Sequence, residues 1–312
     1  MIATITLNPS IDQHILVESL MKDDANRARE VFCYPGGKGV NVSKGVRELG
    51  GQTRAYAILG GFPGEYWKEL IEKLDIPYFS HAVKGDTRIN TVITDLKDAT
   101  QTRISAPGPA VPQKDLEDFL RKLLKVRPKP FLWVFGGSLS RGMKHSTYAK
   151  FIRVLQEQGA PCVLDTDDEA LRFGVRAKPF MIKPNEFEIQ RLMNRSFKTI
   201  EEYAAAAKIL VRQGVKIVVV SLAERGALFV TKSEAFHATT PKVKVKSHVG
   251  AGDSLIAGLA LGLYKGRSLK EAAKLGVAAS TSAVMREAPR LCLRKDIPGL
   301  LERVKVYSYG KF

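Results

Sequence analysis

Short apolar runs, each bounded by glycine, proline or a polar cluster, alternate along this chain with longer segments whose apolar residues recur at helical spacing. Ile2–Leu7 reads as a strand, and residues 11–17 and 29–34 follow with period-2 character. The turn Pro35-Gly36-Gly37-Lys38-Gly39 then opens a predicted helix from about Val40 to Leu49, which Gly50-Gly51 ends. A strand at 55–59 and a helix near 65–74 repeat the unit. Residues 87–94 and 102–105 predict an antiparallel pair turning near Asp98. From Gln113 the alternation is regular: helix 113–124, strand 131–135, helix 146–158, strands 161–165 and 180–183, helices 186–192 and 200–213, and strand 216–221. Short strands near 227–231 and 235–239 and a β-prone run over 242–246 precede helices at 253–265, 269–285 and 296–303. The order predicts an α/β fold, a doubly wound and mostly parallel sheet with helices on both faces. The early strands that break the alternation are expected to form a small separate sheet.

Composition narrows the classes. A chain of 312 residues buries roughly three quarters of its unfolded surface, so a large core is expected. Its apolar stretches are shorter than the ~18 residues that cross a bilayer, and the amino terminus reads as a strand of the fold rather than a leader. No membrane partner is expected, and a cytoplasmic location is. Cys33, Cys162 and Cys292 and the five histidines are scattered, which supports neither a disulfide framework nor a zinc site. A formal charge of +17 invites a nucleic-acid reading. The basic residues, however, are spread without runs or interleaved aromatics, so nucleic acid is not expected and the excess is solvated surface or long-range steering of anions.

The chemistry concentrates near the carboxyl terminus. In Gly250-Ala251-Gly252-Asp253-Ser254 the glycines let backbone N–H groups converge, and the helix that follows adds its positive end. A phosphoryl group fits there, with Asp253 placed to take a proton from an attacking alcohol. Alone, such a segment is as readily a capped loop. Other polar clusters follow predicted strands, where a doubly wound sheet holds its ligands: Asn8, Ser10 and Asp12; Gly36-Gly37-Lys38-Gly39 with Asn41; Gly136-Gly137-Ser138; and Lys183-Pro184-Asn185 with Glu188. The N-x-x-E spacing of Asn185 and Glu188 is by default a helix cap with its partner. A dinucleotide fingerprint fails at its third glycine, where Val42 and Leu255 stand, and a Walker loop fails because Gly39 follows Lys38.

With those clusters in order, the chain resembles the ribokinase-like (PfkB) carbohydrate kinases, in their phosphofructokinase and tagatose-6-phosphate kinase branch. The carrying motifs are Thr6-Leu7-Asn8-Pro9-Ser10-Ile11-Asp12, Pro35 to Val42, Thr87-Arg88-Ile89-Asn90, Pro107-Gly108-Pro109, Gly137-Ser138-Leu139, Lys183 to Glu188, Ser221-Leu222 and Gly250 to Ser254. The resemblance implies one ribokinase-like domain over residues 1–312, with lid strands drawn from 11–17, 29–34, 87–94 and 102–105. It implies that Asp12, Gly36, Gly37, Lys38 and Asn41 hold the sugar, that Ser138 also contacts the substrate, and that Arg88 and Arg27 clamp the substrate's phosphate, with Arg29 as the alternative to Arg27. Asp253 would be the base and Gly250, Ala251 and Gly252 the anion hole. Lys183, Asn185, Ser221 and Gly226 would meet ATP, and Asn185 with Glu188 would organise Mg²⁺ through water. A monovalent cation beside the anion-hole loop and a homodimer formed through the lid complete the expectation. The expected reaction is ATP-dependent phosphorylation of a ketohexose phosphate. Fructose 6-phosphate comes first, on Pro107-Gly108-Pro109-Ala110 and Pro289-Arg290-Leu291-Cys292; fructose 1-phosphate and tagatose 6-phosphate are alternatives, as is a non-catalytic sugar-phosphate-binding regulator. The sequence departs from the family at Ala223, where glycine is usual, at His248, where Thr or Ser is usual, and at Ser140-Arg141; the first two bear on nucleotide affinity.

Overall fold

A computed structural model describes residues 1–287 and 289–311. The chain opens with β1 (Ile2–Thr6), buried throughout, and passes into β2 (Ser10–Val17) and β3 (Glu30–Gly36). Next come α1 (Lys38–Glu48), β4 (Thr53–Gly60), α2 (Gly61–Glu72), β5 (Tyr78–Val83), β6 (Arg88–Asp95) and β7 (Thr100–Ile104). Strict alternation follows through α3 (Gln113–Leu124), β8 (Leu132–Gly136), α4 (Thr147–Glu157), β9 (Cys162–Asp165), α5 (Asp168–Val175), β10 (Met181–Ile182) and α6 (Glu186–Met193). The chain ends with α7 (Ile200–Arg212), β11 (Ile217–Ser221), β12 (Ala227–Val230), β13 (Glu234–Ala238), α8 (Ala251–Tyr264), α9 (Leu269–Val284), α10 (Ile297–Arg303) and β14 (Val306–Lys311).

Ten strands form one sheet in the order β14-β13-β12-β11-β10-β9-β8-β1-β4-β5. It is parallel from β11 to β5 and antiparallel at its β12–β14 edge. Alternate residues of its central strands feed two cores, as the period of 2 dictates. Ile5, Phe135, Leu164, Ile182 and Val218 point to the side covered by α3, α4, α5 and α7, while Ile2, Val134, Val163, Met181 and Val219 point to the side of α1, α8, α9 and α10. Sequential strands depart from β1 in both directions, to β4 on one side and β8 on the other, so the switch point that such sheets use for ligands falls beside β1.

The early strands form a separate sheet, β3-β2-β6-β7, in which β2 pairs antiparallel with β3 and parallel with β6. Asp12 lies opposite Tyr34 on one side and Asn90 on the other. Ile11 anchors the sheet in a third apolar cluster with Val40, Trp67, Leu70 and Ile71. Residues 242–246 read as β-prone but pair with neither sheet: their alternation meets no free strand edge, and Lys246 N–H instead donates to the Val284 carbonyl at 2.8 Å. Three elements are additional to the sequence reading, α5, β5 and β14. No helix among the described residues is long and apolar enough to cross a membrane.

Candidate active site

Gly250 begins the site by its backbone. Its φ of 76° places it in the left-handed region, and a Cβ there would meet Leu291 Cδ2 at 2.3 Å, so only glycine turns the chain into α8 at this point. The first intrahelical bond is Ser254 N–H to Gly250 O at 2.9 Å, which leaves the amides of Gly252 and Asp253 without helical acceptors. Asp253, 7% exposed, occupies the first turn and accepts a hydrogen bond from Asn41 Nδ2 on Oδ2 at 2.9 Å. Burial first, then the nearby Asp165 carboxylate, push its carboxyl up to about 6, against the opposing pull of Lys38, Asn41 and Lys183.

Asp165 ends β9 at 2% exposure. One of its oxygens faces two ammonium groups, Lys38 Nζ at 3.3 Å and Lys183 Nζ at 3.4 Å. Burial works against its charge, but Lys183 and Lys38 outweigh it and hold the carboxyl below the ordinary range. Asp165 in turn raises Lys38. Lys183 also lies against the glycine turn, 3.3 Å from where a Gly252 Cβ would stand. Two cations thus converge below the turn on a single buried carboxylate oxygen.

A second wall of the site comes from the small sheet and α1. Asp12 Oδ1 accepts from Ser10 Oγ at 2.8 Å and Asn90 Nδ2 at 3.0 Å, leaving Oδ2 for a ligand. Gly36 lies against this carboxylate so closely that a Cβ would stand 2.3 Å from it. A cleft of about 170 Å³ opens between the sheets, with Asp12, His14, Asn90 and Arg103 on one wall and Asn41, Val249 and Leu291 on the other. Arg88 reaches from β6 to Asn8, donating Nη2–H to its carbonyl at 3.0 Å and Nη1–H to the Ala106 carbonyl at 3.4 Å. Asn8 Nδ2 donates to Ser138 Oγ at 3.1 Å. Two atoms here are buried without partners, Arg88 Nε and Asn8 Oδ1.

Across the switch point, Asn185 and Glu188 form a reciprocal capping box: Glu188 N–H to Asn185 Oδ1 at 2.9 Å and Asn185 N–H to Glu188 Oε2 at 2.8 Å. The second Glu188 oxygen stays free of the cap, and burial pushes this carboxyl up despite Lys183. Ser221 bridges to Asn185 in parallel fashion, and Gly226, at φ 99°, follows a 3-10 turn that Ala223 enters at φ 49°. Arg225 of this turn pairs with Glu186.

The structure therefore brings together Asp12, Gly36, Gly37, Lys38, Asn41, Arg88, Ser138, Lys183, Asn185, Glu188 and the Gly250–Asp253 turn around the switch point. Arg27 stands apart: its side chain is exposed in the loop between β2 and β3, and among the described residues no hydrogen bond or ion pair ties it to the cleft. Its alternative, Arg29, pairs outward with Glu18 at 3.5 Å. Asp165, Asn90 and Lys44 are site neighbours that the sequence reading did not name as site residues. For Asp165 the signal was present, an acidic residue just past a predicted strand, the position that singled out the other clusters.

Residues 5–296 match the family described as pfkB family carbohydrate kinase, a span that contains all of these groups. The chain belongs to that family. The pfkB kinase is 36% identical over 306 residues to the 1-phosphofructokinase of Bacillus subtilis (strain 168), covering 98% of this chain and 99% of that one. It is 34% identical to a tagatose-6-phosphate kinase of Staphylococcus epidermidis over 277 residues, 88% of this chain and 89% of that one. The crystal structure of phosphofructokinase-2 from Escherichia coli in complex with substrates and products matches it with a TM-score of 0.90 at 31% identity, over 96% of this chain and 98% of that one. The likeness runs nearly end to end, so the fold and the kinase class hold for the whole chain rather than for one motif.

Proposed function

We propose that this pfkB kinase transfers the γ-phosphoryl group of ATP to a hydroxyl of a phosphorylated ketohexose, with fructose 6-phosphate first, giving fructose 1,6-bisphosphate and ADP. The observation that carries the reading is a pair of polar groups beside the switch point. One is a buried carboxyl, its pKa pushed up to about 6, in the first turn of a helix with free amides; the other is the half-buried Arg88 guanidinium, which donates to the Asn8 carbonyl and keeps a buried Nε–H without a partner. A planar guanidinium suits a phosphate already on the substrate, and unpaired positive charge there is costly without one.

In the proposed step the substrate hydroxyl oxygen attacks the γ-phosphorus in line. The new O–P bond forms as the bond to the β–γ bridging oxygen breaks, ADP departs, and the hydroxyl proton passes to Asp253. The amides of the Gly250–Asp253 turn take up charge that develops on the transferred group. Asn41, Asp12 and Lys38 orient the sugar, while Lys183 faces the nucleotide phosphates. Ser221 and Gly226 line the nucleotide side. Mg²⁺ fits the free oxygen of Glu188: burial disfavours that carboxylate's charge, which a cation relieves, and one carboxylate with retained waters satisfies this ion. When bound, it supplies neutralisation of the phosphate charge, with Asn185 alongside.

The likeness to the Bacillus subtilis 1-phosphofructokinase supports fructose 1-phosphate as a second acceptor. The test is a coupled assay of ADP release under identical Mg·ATP with fructose 6-phosphate, fructose 1-phosphate, tagatose 6-phosphate, free fructose, ribose and adenosine. The expected result is highest kcat/KM on a ketohexose phosphate, fructose 6-phosphate leading. A highest value on ribose, adenosine or free fructose overturns the phosphate-clamp reading, and binding of a sugar phosphate with no turnover on any of them favours the regulator.

A further inference from the structure

Lys44 lies one helical turn beyond Asn41 on α1, on the same face. Its Nζ is 3.2 Å from Asn41 Oδ1 and 3.5 Å from the Pro35 carbonyl, and stands 5.8 Å from the Tyr34 ring centroid. Asn41 in turn donates Nδ2–H to Asp253 Oδ2 at 2.9 Å. An ammonium group has donors only, so it can donate just to the carbonyl end of an amide. Turning the Asn41 amide over would set its NH₂ against the ammonium and its oxygen against the carboxylate, replacing two hydrogen bonds with two repulsive contacts. We infer that Lys44 is a positioning residue, which fixes the Asn41 amide so that its N–H faces Asp253. The inference rests on the reading of Asp253 as the base.

The electrostatics around the relay agree. Burial pushes the Lys44 ammonium below the usual lysine range, while Asp12 and Asp253 oppose that shift. Lys44 also bears on His14, whose ring is lowered first by burial. Asp253 is faced by Asp165 of β9, Lys38 and Asn41 of α1, and Lys183 after β10, and among these Asn41 donates it a hydrogen bond whose direction a neighbour, Lys44, helps to set. A residue that served only to fill space would leave the amide held by the carboxylate alone, with its oxygen unpaired.

The experiment titrates the Asp253 carboxyl by ¹³C NMR in the free enzyme, assigned by its loss in Asp253→Asn, and follows the acid limb of kcat/KM in parallel. Wild type, Lys44→Met, Asn41→Ala, the double variant and Lys44→Arg are compared. Lys44→Met should move the titration upward by about one pH unit, the size of a lost hydrogen bond to the charged form. Asn41→Ala should do the same, and the double variant no more, because Lys44 acts through Asn41. Lys44→Arg, which keeps donors, should lie nearer wild type. An unmoved titration in Lys44→Met, or shifts that add in the double variant, overturns the relay. If the carboxyl titration moves while the rate limb stays, the relay stands and the base assignment falls instead. Lys44→Ala repeats the comparison should the methionine variant fold poorly.

Discussion

Asp253 carries opposite demands, and both are measurable. In its proposed role as base it must be ionised, so the rate should fall as pH drops through about 6, where its carboxyl takes up a proton. Asp253→Asn should lower kcat by ~10²–10⁴ with little change in substrate binding. For stability the sign is reversed. The folded carboxyl titrates near 6, above the ~3.9 of an unfolded chain, so above both values the buried charge destabilises the fold, and stability rises as pH falls through the folded value. Asp253→Asn should therefore be more stable than wild type at pH 8 by about 1–3 kcal/mol, a margin that closes as pH falls toward the unfolded value. Urea unfolding at pH 8 and below pH 5 checks this; a variant equally or less stable at pH 8 removes burial as the cause of the shift. Asp253 was readable from its glycine turn, and Arg88 from its motif. Asp165 was readable only as an acidic residue closing a predicted strand and Lys44 not at all, because a carboxylate shared by two lysines and an amide held by a third exist only once α1, β9 and the loop after β10 converge.

Elements were legible where period and punctuation agreed. Helix α3 keeps both of its predicted ends, since Pro112 precedes it and its apolar residues recur on one face. α6, α7 and α9 each begin with a reciprocal capping box of the kind the sequence spells. The helix α5 escaped because its eight residues are too few to show a period and its cap, Asp167, makes no capping bond. Strand β5 escaped as a sheet edge of mixed polarity, Tyr78-Phe79-Ser80-His81, whose identity comes from pairing with β4. Ala223 gives a physical reason for the family's glycine there. It is exposed and sits at φ 49°, in the conformation that costs an L-residue about 1–2 kcal/mol. Part of that cost is offset by the greater unfolded-state entropy of glycine. Ala223→Gly should then raise the melting temperature by about 1–3 °C. A lower melting temperature by calorimetry would show that the turn is held by contacts rather than strained.

At the scale of the whole molecule the small sheet is the part that the core does not explain. Its register puts Ile11, Gln13 and Ile15 of β2 on one face with Val31 and Cys33 of β3, Ile89 and Ile93 of β6, and Ile104 of β7. Ile11 is covered by α2 and α1, yet Val31 is 51%, Ile89 43% and Ile104 57% exposed. A strand face that leaves three β-branched residues to water invites a partner, and the partner we propose is a second copy of this chain meeting it through the same sheet. Like charges on a self-paired face meet their own copies, so Ile89→Glu with Ile104→Glu should convert a dimer to a monomer. The cleft wall of Asp12, His14, Asn90 and Arg103 is built on these strands, so the monomer should also show a raised KM for the sugar phosphate with a smaller change in KM for ATP. Sedimentation velocity on wild type and variant, read beside the two KM values, decides it. A wild-type monomer, or a double variant that stays dimeric, would place the partner surface elsewhere.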